Sequence, residues 1–397
     1  MRIPTQPVKD VSLPLRRITP ADGRQYFFGY YDLPAWSADE VYHLCHRVAF
    51  CDRLPVAGDE AELGMIRMAT GEFLPLATTT AWCFQQGAML QWHPADAGRI
   101  IYNTRTPAGF ASVLQQVSSG EQCRLPLPVA NVDPRGRYAV SINFSRLFDF
   151  RPGYGYAGLA DPVATVVQPA DDGIWVMDLA TGDHSLILSL QAIAAARPEP
   201  IGDAKLLINH ITFNTDGTRL VFLARIFPTE QFGWKTAIFT VNRDGSELYL
   251  LQDYGYASHY HWRDAVHVLF HSDAGKAHDH GAGDLYLFTD RTRTVETIDP
   301  AFFSEDGHCN YSPNRRWLLY DSYPRDDYRY LYLYDLHGKR GYTLGTFYAP
   351  PEINAISHDI RCDLHPRWSA DGQCVSFDSL HEGFRGVYVM EVGAIVG

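Results

Sequence analysis

The chain has 397 residues, 46% of them apolar and 13% aromatic, which excludes a disordered or fibrous protein and leaves room for a large core. Its 34 basic and 46 acidic residues leave a formal charge of −12, which argues against nucleic acid or an anionic membrane as partner, since both select a basic face. Only five of the basic residues are lysines, so the cationic chemistry is that of arginine, the better bidentate reader of carboxylates.

The N-terminus, from Met1 to Pro7, lacks the apolar stretch of a secretory signal, and no run approaches the ~20 apolar residues of a membrane span. Seven cysteines, an odd number without CxxC pairing, point to a reducing compartment. The expected location is therefore the cytoplasm.

A short strand, a polar turn and a hydrophobic strand recur seven times, as in QWHPADAGRIIYNTR from Gln91, TFNTDGTRLVFLAR from Thr212 and NYSPNRRWLLYDS from Asn310. The first turn residues are Ser37, His93, Asp133, Asn214, Arg263, Ser312 and Ser369. Each copy continues into a third strand that ends in a hairpin signal, such as GIWVMDLATGD or YLYLYDLHGK. Repeats of about 40 to 50 residues with four short strands each predict an all-β fold, a seven-bladed β-propeller forming a single domain over 1–397. The last copy has no room for a fourth strand, so Leu13–Thr19 is expected to supply it and close the ring. The long step between copies three and four holds an insertion, 150–173, and one helix candidate, Leu190–Ala196, capped by Ser189. Tyr154 and Tyr156 in the insertion read equally as sugar-stacking surfaces or as ordinary packing.

Four residues before each turn the copies read Leu33, Met89, Val129, His210, His259, His308 and His365. Innermost strands line the channel of a propeller, so four histidines at one register in consecutive blades should converge near one end of the axis. At the far end of the second strand another register reads Arg47, Arg105, Arg146 and Arg225, then His271, Asp321 and Asp378. An arginine half facing a histidine half predicts an acidic oligosaccharide or polysaccharide as the substrate. Tyr31, Arg47, Gln86, Arg146 and Tyr154 are the expected substrate contacts. Ligand-type residues recur in HDIRCDLHPRW, DGHCNYS and SHYHW, and the expected metal set is His259, His308, Cys362 and His365. The thiolate favours zinc, with manganese open. His278, Asp279 and His280 lie in a Gly-bearing polar loop and are expected to be solvated. The chain holds no GxSxG elbow, Walker sequence or GxGxxG, which argues against a propeller-borne serine peptidase and against nucleotide chemistry.

The stretch CDLHPRWSADGQCVSFDSLHEGFRGVYVMEV, with GHCNYSPNRRWLLYDS and SHYHW before it, resembles the seven-bladed propeller polysaccharide lyases of the oligogalacturonate lyase and ulvan lyase kinds. The oligogalacturonate type implies His259 as base and a metal on His308 and His365. Asp363 stands where that type has a further histidine and Ile360 where it has a glutamine, and Cys362 could restore the ligation. The ulvan type implies instead a middle-blade base beside a neutralising arginine, as in His210 with Arg225. The chemistry fits the residues on its own terms. β-Elimination from a uronate needs a base for the C5 proton and a cation on the carboxylate, roles open to His210 or His259 and to Arg225 and Arg105. Two other readings stay open: a non-catalytic propeller that scaffolds protein partners, and a metal-dependent glycan hydrolase.

Overall fold

In the computed structural model, which describes residues 3–197, 200–227, 235–274 and 283–397, the seven repeats become seven four-stranded antiparallel sheets. Blades 1 to 6 span 25–79, 91–125, 131–189, 206–255, 257–297 and 309–348. Blade 7 joins Arg367–Trp368, Cys374–Ser379 and Gly386–Glu391 to Leu15–Arg17 from the far end of the chain. Leu15 faces Met390 and Arg17 faces Tyr388, so the N-terminal closure is as expected. The same N-terminal segment pairs Lys9 with Thr346 on the outer strand of blade 6, fastening two blades with one strap.

The core lies between the sheets, because each blade buries both faces against its neighbours. In blade 4 all sixteen residues of Leu206–Phe213 and Arg219–Ile226 are buried. This explains why those strands read as near-continuous apolar runs rather than alternating ones. The helix Leu190–Ala195 forms as predicted, with the Ser189 hydroxyl accepting from the Ala192 amide. Three further short helices, Phe144–Phe150, Pro351–Ile356 and Gly393–Val396, escaped the sequence reading. At four to seven residues they are too short to display a 3.6-residue period.

Blade 1 departs from its copies. Its innermost strand is Gln25–Phe27, and the chain then leaves the sheet, returning at Trp36, which bridges to His43. The excursion, FGYYD over 28–32, runs to the propeller axis. His278, Asp279 and His280 lie outside the described residues.

Candidate active site

The excursion is held by a buried ion pair. Asp378 accepts from the amides of Phe28 (3.2 Å) and Gly29 (3.3 Å), while Arg367 binds Asp378 (2.9 Å) and donates to the Gly29 carbonyl (3.3 Å). Gly29 has φ +121°, and a Cβ there would press on the Gln86 backbone at 3.0 Å, so glycine is required. Tyr31 is then fixed at both ends: Asn310 Nδ2 donates to its carbonyl, and its hydroxyl donates to the Tyr260 carbonyl at 2.7 Å. Its ring lies 5.8 Å from His210, 6.1 Å from His259, 5.1 Å from His308 and 6.3 Å from His365. The histidine half-ring therefore does converge, and a single tyrosine is its hub.

Above this hub opens a cavity of about 510 Å³ whose walls include Tyr30, Tyr154, His210, Arg225, His259 and Asp306. His259 Nδ1 binds Asp306 Oδ1 at 3.0 Å. Burial, with the charge of His308 adding to it, lowers the imidazole to about 4 despite Asp306, so His259 is neutral near pH 7. Burial alone would raise Asp306, yet His259 and His271 hold it below the usual carboxylate range. With Asp306 on Nδ1, Nε2 is the nitrogen left to accept a proton. His210 forms a second such pair, its Nε2 lying 2.6 Å from Asp32 Oδ2. Arg225 is lowered to about 10 by burial and by the nearby charge of Arg151, an environment that favours an anion.

Beside the cavity, His308, Asp363 and His365 bring ligand atoms within 4.8 Å of one another. Asp321 accepts from His308 Nδ1 at 2.9 Å and so turns Nε2 toward the cluster, the usual outer support of a metal-binding imidazole. The Nε2 atoms of His308 and His365 are buried without a hydrogen-bond partner, as expected of groups that ligate. Burial opposes the charge on Asp363, but Arg329 (2.5 Å) and Arg361 (2.8 Å) hold it well below the carboxylate range. Two imidazoles and a carboxylate fit a divalent ion.

Of the expected ligands, His308 and His365 meet in this cluster. The His259 ring lies 3.9 Å from that of His308, tilted by 47°, but its Nδ1 is taken by Asp306. Cys362 stands apart, packed with Ile353 and Leu380, and burial pushes its thiol up to about 12. Side chains of an extended segment alternate, so Arg361 and Asp363 share one side and Cys362 takes the other. The argument for zinc, which rested on the thiolate, goes with it.

Of the expected catalytic and substrate contacts, His210, His259, Arg225 and Tyr154 line the cavity, whereas Tyr31 is not in its wall and packs against the two histidines. Arg146 instead lies in the first turn of the helix Phe144–Phe150 and is spent inside the protein on Asp161 (3.0 Å) and the Leu206 carbonyl (2.6 Å). Arg47 pairs with Glu62 and covers the Phe73 ring, and Arg105 lies against Gly158. Gln86 is buried beneath the cavity near Tyr30 and Asp32. Tyr156 stacks on Phe144 in the core. Sequence reasoning missed Tyr30, Asp32, Asp306 and Asp363; the only signal for the first two was the aromatic-glycine run FGYYD.

No protein-family model matches the sequence, and no curated protein matches it. Among solved structures the chain is similar to an oligogalacturonate lyase in complex with manganese, with a TM-score of 0.67 at 13% identity over 98% of this chain and 96% of the other. An oligogalacturonate lyase from Vibrio parahaemolyticus gives 0.66 at 13% identity and the same coverage. The tricorn protease reaches 0.53 at 12% identity, over 91% of this chain and 34% of its own. At these identities the likeness is one of fold.

Proposed function

We propose that this protein is a carbon-oxygen lyase that cleaves uronate-containing oligosaccharides by β-elimination, leaving a 4,5-unsaturated uronate. The observation that carries the reading is the His259–Asp306 pair set in one cavity with Arg225. A neutral imidazole whose second nitrogen is held by a carboxylate is poised as a base, and a buried guanidinium can neutralise the substrate carboxylate that acidifies C5. His259 Nε2 removes the C5 proton; Arg225 stabilises the charge that builds on the carboxylate. Tyr154 offers an aromatic wall to the sugar.

His308, Asp363 and His365 would hold a divalent ion, manganese or zinc, whose charge would add to the neutralisation of the carboxylate. The likeness to oligogalacturonate lyases supports an acidic oligosaccharide substrate, and the cavity is sized for a few sugar rings.

The test is incubation of purified protein with a panel of uronate oligosaccharides, followed by the ultraviolet absorbance of the unsaturated product. Appearance of that chromophore with at least one acidic oligosaccharide is expected. Its absence across galacturonate, glucuronate, mannuronate and guluronate oligomers, with divalent ions supplied, would overturn the reading.

A further inference from the structure

A second cavity, of about 570 Å³, opens between blades 2 and 3. Its walls are the hairpin turn 106–109 of blade 2, the link 126–128 between the two blades, and the end of blade 3's second strand at Ser141. The cavity of His259 is walled by the same kinds of segment, a link into a first strand at Asp306 and the end of a second strand at Arg225. Because every blade runs in the same direction around the ring, both cavities open on one face of the propeller. The insertion contributes to both, Tyr154 to one and Leu159 to the other.

The two differ in charge. The cavity of His259 holds Arg151, Arg225 and Arg325, whereas the second holds no lysine, arginine or histidine among the described residues, and its charged groups are Asp171 and Asp172. Trp175, half-buried, lies opposite Ser141 on the neighbouring strand, so the two side chains share one side of the sheet, and both line the cavity. Ser141 and Ser145 are only 2% and 5% exposed, yet neither hydroxyl has a hydrogen-bond partner among the described residues. A buried hydroxyl in a cavity wall without a partner calls for one from outside the chain. Asp172 accepts from Asn143 Nδ2 and from the Gly173 amide, both at 2.8 Å, and burial pushes its carboxyl above the ordinary value, which disfavours the ionised form that a cation would require. An indole wall with hydroxyl and carboxylate groups and no cation is wrong for a uronate and right for an uncharged sugar. The apolar face of a pyranose packs on the ring, and its hydroxyls donate to carboxylate oxygens and exchange hydrogen bonds with serine. We propose that this cavity is a second carbohydrate site, one that takes uncharged sugar units, with Trp175 as the stacking surface and Ser141, Ser145 and Asp171 as the hydrogen-bonding groups. The assignment concerns binding and does not rest on the lyase reading; taken with that reading, it implies a glycan that carries neutral sugars beside its uronates.

The experiment titrates the full chain with xylobiose, cellobiose, mannobiose and galactobiose, followed by calorimetry and by indole fluorescence, with benzylamine as a cationic counterpart. At least one neutral disaccharide should bind with a Kd of about 1 mM or tighter. Trp175→Ala should weaken that binding about tenfold or more, Asp171→Ala should weaken it by a smaller factor, and Arg225→Ala should leave it unchanged. Asp171 is exposed, so its variant keeps the fold and decides the matter if Trp175→Ala does not fold. Absence of binding by all four sugars, or binding that both variants leave intact, would overturn the assignment. Loss in Arg225→Ala would place the sugar in the other cavity and overturn it as well, as would benzylamine binding in place of the sugars and lost with Trp175. The lyase reading stands or falls separately, on the unsaturated product.

Discussion

The histidine register and the arginine register are both products of the same seven-fold repeat, yet they met different fates. The histidines lie on or just before the innermost strands, where seven blades crowd around one axis, and all four reach Tyr31. The arginines stand further out, Arg47, Arg105 and Arg225 on the second strand of their blades and Arg146 in the helix that follows it, where each blade has neighbours of its own. Arg47 and Arg146 were neutralised locally by Glu62 and Asp161, and Arg225 reaches the cavity. A common register thus converts into a common site only near the axis; farther out it converts into separate packing problems. The aspartates that replace arginine in the last two blades make the point from the other side. Asp321 orients His308 and Asp378 clamps the excursion that carries Tyr31, so in that half the outer register serves the inner one.

The sharpest way to break this contrast is to remove one member of each register. His259→Ala should lower turnover by about 10²–10⁴, whereas Arg47→Ala should leave it nearly unchanged, both read as unsaturated product per unit time. Comparable losses would mean that the outer register also faces substrate. Arg146→Met tests the structural half: breaking a buried pair strands Asp161, and denaturant unfolding should show a loss of about 3–5 kcal/mol. An unchanged midpoint would place Arg146 among the dispensable surface groups.

The metal cluster gives a third comparison, between adjacent residues. After equilibration with manganese or zinc and dialysis, Asp363→Asn should retain about tenfold less metal than wild type, and Cys362→Ala should retain as much. The reverse result would restore the thiolate to the site.

A fourth comparison, between the buried histidines outside the site and those in it, concerns pH. Burial lowers His43 to about 3 and His46 and His381 to about 4, all below the ordinary value of 6.5. Between those limits the unfolded chain binds more protons than the folded one, so stability is greatest above about pH 6.5 and falls as the pH drops toward 4. Each of these histidines should contribute about 1.4 kcal/mol per pH unit to that slope. Urea unfolding at a series of pH values checks the sign; stability that rises on acidification would contradict it.

Local chemistry written along the chain was enough to specify the blades. Turn residues, hairpin signals and apolar strands repeat, and each blade is a short-range structure, so the repeat count, the N-terminal closing strand and the convergence of His210, His259, His308 and His365 were all legible. What the repeat could not express was any feature that breaks it. The excursion FGYYD, which supplies Tyr30, Tyr31 and Asp32, depends on Gly29 fitting against Gln86 and on Asp378 across the ring. The pairing of His259 with Asp306, and the preference for Asp363 over Cys362, depend on which way a side chain faces once neighbouring blades have packed. Those choices belong to the tertiary structure, because they join residues distant in sequence across a closed ring, and no periodicity within a single blade carries that information.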